Sequence, residues 1–184
     1  TKAASVSDML KKLQEKKLIK YEKYKGVRLS KSGQKKAISI LRKHRLWETF
    51  LVKTLNFSWD EVHYIAEQLE HIQSEKLIDK LDDFLNHPKY DPHGEPIPTK
   101  SGKIPTSNTE SLNKLKAREK GVIMGVNLDD KAFLQYLNQL NIQIGIKIEV
   151  IKKIDFDKSL EIKINKERHH ISNDVTKHLL IKKT

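Results

Sequence analysis

The 184-residue chain has no cysteine. That excludes disulfides and zinc–thiolate centres, fits an intracellular protein, and leaves only nitrogen and oxygen donors for any metal. Long apolar runs are also missing: nothing approaches the length that spans a bilayer, and the N-terminus lacks the apolar core of a signal peptide. The expected location is therefore the cytoplasm, with no membrane partner. Proline is scarce, and all five prolines fall between Pro88 and Pro105. Acidic residues are outnumbered, 24 against 36 Lys plus Arg, for a net charge of +12. Such an excess favours a polyanionic partner, most simply nucleic acid, although an anionic membrane surface has the same electrostatic appeal. The length allows one large domain or two to three small ones.

Among what is present, SWDEVHYIAEQLEHIQS, residues 58–74, is the most informative stretch. Advancing about 100° per residue, His63, Glu67, Glu70 and His71 share roughly a third of a helix circumference. Ser58 with Glu61 three residues later forms a capping box, which predicts a helix starting at Trp59. Upstream, His44 and Glu48 in KHRLWETFL are spaced i, i+4 on another predicted helix. If the two helices pack antiparallel, all six side chains can converge on one or two divalent cations. An all-N/O set suits Mn²⁺ or Fe²⁺, while Zn²⁺, Co²⁺ and Ni²⁺ remain able to bind in vitro. The competing reading is a solvated face whose acids pair with the many lysines.

At the N-terminus, ASVSDMLKKLQEKKLIKY has the apolar spacing of an amphipathic helix, with Lys11 and Lys12 on its other face. LIKYEKYKGVRLS follows as two β-prone runs joined by a turn at Lys25 and Gly26. Helix then basic hairpin reads as the second half of a winged helix-turn-helix, with Lys2 to Asp8 entering the major groove of double-stranded DNA. Ser5, Ser7 and Asp8 are the side chains placed for base edges. Lys20, Lys23, Lys25 and Arg28 would contact phosphates. Because such a module needs one or two helices before the recognition helix, the sequence reads as N-terminally truncated.

The middle reads as a compact all-α unit: one long helix over 33–55 broken at Asn56, the 59–74 helix, and a third opened by Ser74 and closed by Pro88. Trp47, Phe50, Trp59, Ile65, Leu69, Leu77, Leu81 and Phe84 exceed what this unit needs inside, which suggests a symmetric dimer. The proline cluster opens a linker to about Arg118, and His93 in DPHG could be a ligand, although a turn histidine is the favoured reading. Beyond Gly121, a short helix and three to five strands suggest a small SH3-like barrel. The adjacent His169 and His170 point to opposite faces if in a strand and read as surface residues. The expected architecture is mainly α with a small β domain, divided as 1–36 (partial winged helix), 37–98 (helical metal-binding and dimerisation domain), 99–120 (linker) and 121–184 (SH3-like domain).

HRLWETFLV, WDEVHYIAEQLEH and HPKYDPHGEPIP are similar to the signature of the diphtheria toxin repressor family of metal-dependent transcriptional repressors. DMLKKLQEKKLIKYEKYKGVRLSKSG resembles that family's recognition helix and wing, and the C-terminal part resembles the FeoA-type domain of its longer members. The resemblance implies a homodimer with metal sites between its DNA-binding and dimerisation domains. His44, Glu48 and His63 match the ancillary site; Glu67, Glu70 and His71 match the primary one. Glu67 stands where the iron-responsive branch has cysteine and the manganese-responsive branch glutamate, which favours manganese. Glu48 together with a C-terminal domain resembles the iron-type architecture, so iron stays open. The family's remaining primary-site ligand comes from a first helix that this chain is expected to lack. Where some members donate a carboxylate and an amide from the SH3-like domain, this chain has Asp129, which can ligate, and Ala132, which cannot.

The resulting expectation is a non-enzymatic, DNA-binding repressor of metal-uptake genes with Mn²⁺ or Fe²⁺ as corepressor. Two alternatives stay open from the residues alone. One is a di-metal carboxylate enzyme, although no residue looks like an independent nucleophile or general base. The other is a DNA-binding protein indifferent to metal.

Overall fold

The computed structural model describes residues 3–22 and 26–184. Helix α1 (Ala3–Glu15) leads into the antiparallel hairpin β1 (Ile19–Glu22) and β2 (Gly26–Leu29). Three further helices follow: α2 (Lys31–Leu55), α3 (Val62–Leu69) and α4 (Glu75–Phe84). The rest of the chain builds a β unit from β3 (Glu110–Ser111), a single 3₁₀ turn (Leu112–Lys114), β4 (Lys120–Val126), α5 (Lys131–Gln139), β5 (Lys147–Lys153), β6 (Leu160–Ile164), β7 (Glu167–Ile171), α6 (Asn173–Thr176) and β8 (Leu179–Lys183). The fold is thus helical with a small β-sheet domain.

Local chemistry sets several boundaries. Ser30 caps α2 by accepting from the Gly33 amide, and Asn56 ends it in the left-handed conformation that Asn tolerates (φ 58°). Ser74 caps α4 through the Leu77 amide, and Asp130 caps α5 through the Phe133 amide. The expected start of α3 at Trp59 is corrected to Val62. Ser58 Oγ turns to Asp60, and only half of the capping box forms, the Ser58 amide donating to Glu61 at 3.2 Å. Residues 59–61 are therefore a turn. The same helix ends at Leu69, with Glu70 at its C-cap, so it does not run on to Ser74.

Helices α2, α3 and α4 enclose a core of Leu46, Trp47, Leu51, Val62, Ala66, Ile78 and Leu81, closed by Ile97 from the proline-rich turn. Because α2 begins at Lys31, the expected boundary between 36 and 37 falls inside a continuous helix. The β unit has its own core, including Leu112, Leu115, Ile123, Leu134, Leu137, Val150, Ile162 and Ile181. Leu112 and Leu115 are fully buried, so the second half of the expected linker belongs to this core.

The sheet has six antiparallel strands in the order β3-β8-β4-β5-β6-β7. Among the described residues β3 and β7 are edges that do not pair with each other, so this is an open sheet rather than the closed barrel expected. In it His169 is half-buried, while His170 is exposed and meets Ser159 Oγ at 3.0 Å.

The two units meet where the DPHG turn lies on β4. The Val126 amide donates to the His93 carbonyl at 2.9 Å. Gly94 (φ +81°) makes the approach possible, because a Cβ there would fall inside the Met124 carbonyl and the Gly125 backbone.

Candidate metal centre

Glu48 lies at the middle of the site and is 2% exposed. It sits one turn after His44 on the inner face of α2, which the packing of α3 covers. Oε1 accepts from His44 Nε2 at 3.0 Å and lies 3.5 Å from His63 Nδ1 of α3. Oε2 faces Nδ1 of His93, 3.7 Å away. Asp129, from the loop between β4 and α5, completes the arrangement. Its Oδ2 is 2.5 Å from His63 Nδ1 and its Oδ1 3.8 Å from His93 Nε2. Two overlapping clusters of donors therefore share Glu48: His44, Glu48 and His63, and Glu48, His93 and Asp129.

Charge in the cluster is balanced by protons. Both His44 nitrogens lie against carboxylates, Nε2 on Glu48 and Nδ1 on Glu70 at 2.7 Å. Burial opposes the cationic form of His44, but these two carboxylates outweigh it and its pKa is raised. Burial likewise pushes Glu48 up, and the neighbouring His44 and His93 more than reverse this, down to about 2. His93 is raised to about 9 despite its burial, chiefly by Glu48 and by donating Nε2–H to the Trp59 carbonyl at 2.8 Å.

Behind His93, burial and then the Glu48 charge push Asp91 up to about 7. Its Oδ1 accepts from the His93 and Glu95 amides at 2.8 and 2.9 Å. Its Oδ2 and the Arg45 Nε, 3.4 Å apart, are poorly aligned, and both are buried without a hydrogen-bond partner.

The predicted ligands do not all converge. His44, Glu48, His63 and Asp129 are brought together. Glu70 joins them only through His44. Glu67 is largely exposed, and its nearest partner in the set is His63 at 3.8 Å. His71 is exposed in the turn after α3 and lies in neither cluster, because the helix that would have carried it onto the common face has already ended. Lys43 holds that turn, its buried Nζ donating to the Ile72 carbonyl at 3.0 Å.

His93 lies in the expected turn, yet the structure also brings it to the donor set. It is 3% exposed and part of the second cluster, the alternative that the sequence had left less favoured. Its signals in the sequence were its place near Asp91 in a turn rich in proline and glycine and its position within the HPKYDPHGEPIP motif.

Of the residues expected to contact DNA, Ser7, Asp8, Lys11 and Lys12 of α1 and Lys20 and Arg28 of the hairpin are exposed. Lys2, Lys23, Lys25 and the Ser5 side chain lie outside the described residues. No helix among the described residues is long and apolar enough to cross a membrane.

Comparison with known proteins fits this geometry. Residues 30–99 match the family model "Iron dependent repressor, metal binding and dimerisation domain", and residues 110–183 match the FeoA domain. The iron-dependent repressor IdeR of Mycobacterium bovis is 32% identical over 117 residues, covering 62% of this chain and 51% of IdeR. A probable metal transport system membrane protein of Chlamydia trachomatis is 41% identical over 75 residues, 41% of this chain. The chain thus spans about half the length of the first of these curated relatives and 17% of the second.

Among solved structures, the manganese regulator SloR is 34% identical with a TM-score of 0.83, the match covering all of this chain and 85% of SloR. A manganese-dependent transcriptional repressor in complex with manganese is 29% identical with a TM-score of 0.90, covering all of this chain and 86% of that one. With family models matching residues 30–99 and 110–183 and a 34% identical relative matched along most of its length, the chain belongs to the diphtheria toxin repressor family of metal-dependent repressors.

Proposed function

We propose that this chain is a DNA-binding transcriptional repressor controlling metal-ion uptake and homeostasis genes, with Mn²⁺ or Fe²⁺ as corepressor. The observation that carries the reading is Glu48. It is a buried carboxylate whose two oxygens face different histidines, in a donor set completed by Asp129 from the other unit. His44, Glu48, His63, His93 and Asp129 would hold the ion, and Glu67, Glu70 and His71 are proposed as ligands of a second site. A divalent cation there displaces the protons that now balance the carboxylates and joins the helical and β units.

The relatives' names include both manganese and iron regulators, and the hard donor set suits either metal. These relatives are repressors, which leaves the enzyme alternative without support. Exposed Lys11, Lys12, Lys20 and Arg28 supply the phosphate-binding face of a winged helix whose recognition helix is α1. Phe84 at 66% and Leu77 at 40% exposure supply apolar surface for a homodimer. The sheet is read as an SH3-like variant and the protein as cytoplasmic. Four parts are proposed: the helix–hairpin DNA-binding part, the helical metal and dimerisation part, a short linker and the β unit.

Titration with Mn²⁺, with Fe²⁺ under anaerobic conditions and with Zn²⁺ tests this, on the chain and on its His44→Ala and Glu48→Ala variants. Saturable binding that the variants lose, together with DNA affinity that rises with metal, is the expected result. Equal DNA affinity with and without chelator would overturn it.

A further inference from the structure

Helix α5 is fastened to the helical unit at both ends. Before its N-cap, Asp129 reaches His63 at 2.5 Å and faces His93 at 3.8 Å. In its last turn, Asn138 Oδ1 accepts from the indole N–H of Trp59 at 2.8 Å, and Asn138 Nδ2 donates to Asp60 at 3.3 Å. Trp59 is held from the opposite side as well. Its carbonyl accepts from His93 Nε2, and its ring stacks on the imidazole, with centroids 6.0 Å apart and planes 18° from parallel. Its indole also packs against the core of the β unit. One residue of the helical unit therefore touches both a candidate ligand and the helix that presents another.

We propose that Asn138 and Trp59 are positioning residues for Asp129, forming a second pin that fixes α5 so that the Asp129 carboxylate meets Glu48 and His93 before an ion arrives. This rests on reading that cluster as a metal site. A nine-residue helix secured at one end can still pivot there, and the like charges of Asp129 and Glu48 push it away. A second attachment roughly 12 Å along the helix removes the pivot and lowers the ordering cost of binding. Because Trp59 also holds the His93 ring, the same pin orients two donors from two different units.

A double-mutant cycle on the whole chain, read by Mn²⁺ titration, tests the proposal. Trp59→Phe, which keeps an aromatic ring but loses the donor, should weaken Mn²⁺ binding roughly three- to tenfold, the worth of one hydrogen bond, and Asn138→Ala, which also loses the contact to Asp60, at least as much. Combined, they should weaken it no further than Asn138→Ala does alone, and the loss from Asn138→Ala should vanish once Asp129→Ala is in place. If Asn138→Ala fails to fold by circular dichroism, Trp59→Phe carries the same comparison. Unchanged affinity in the single variants, or an undiminished loss in the Asp129→Ala background, overturns the pin while the metal reading stands. A wild-type chain that takes up no Mn²⁺ overturns both.

Discussion

Glu48 Oε2 faces His93 Nδ1 at 3.7 Å across the junction of the two units, while Glu48 Oε1 accepts from His44 one turn earlier on its own helix. One carboxylate thus serves both donor clusters. Glu48→Ala should cut Mn²⁺ affinity by at least about a hundredfold, since loss of a mere supporting partner can already cost 10- to 100-fold. Calorimetric titration measures this, and a Glu48→Ala chain that binds like wild type would contradict the shared-ligand arrangement.

Metal binding should release protons. His93, raised to about 9, carries a proton in the neutral range that a metal must displace, and the carboxylates beside His44 raise its pKa as well. The sign follows: protonated His93 stabilises the metal-free fold fully below the ordinary histidine pKa near 6.5, and that contribution fades as pH rises towards 9. Mn²⁺ affinity should therefore increase from pH 6 to 9, with about one or more protons released per ion at pH 7. Calorimetry in buffers of different ionisation enthalpy counts them.

Gly94→Ala should loosen the junction. The added Cβ meets the Met124 carbonyl, and φ of +81° is already unfavourable for alanine. Protease cleavage within 104–109, an exposed or half-buried stretch outside helices and strands, should quicken. Mn²⁺ affinity should fall together with it, because Asp129 arrives on the displaced unit.

Arg42 joins three segments, donating to the Pro98 carbonyl at 2.9 Å and to Asp82 of α4 at 2.8 Å. Arg42→Ala should destabilise the helical unit by about 2 kcal/mol in urea denaturation at pH 7. Burial pushes Asp82 up, but Arg42 and His87 outweigh it and leave its pKa lowered. The stabilisation is therefore present above the ordinary aspartate pKa and is lost as pH falls through the depressed one. The difference between wild type and Arg42→Ala should shrink in acid.

DNA affinity should depend on salt through α1. Replacing exposed Lys11 and Lys12 with glutamine should flatten the slope of log K against log salt by about 0.9 for each phosphate that is no longer neutralised. An unchanged slope in a mobility-shift series would move the DNA face elsewhere.

The sequence by itself determined the helices and several of their ends, because capping and left-handed positions are local: Ser74 and Asn56 act within one turn of where they sit. It also determined His44 and Glu48 as a pair, since i, i+4 spacing on a long helix fixes their common face whatever else happens. Tertiary structure decided the rest. The α3 helix stops at Leu69, so a regular helical wheel could not place His71. His93 became part of the site because two glycines let its turn press onto β4 and bury the imidazole beside Glu48. Asp129, 81 residues beyond Glu48, reaches the cluster only because the β unit docks there. Contacts so distant along the chain leave no periodicity in sequence; they exist only where packing brings two surfaces together.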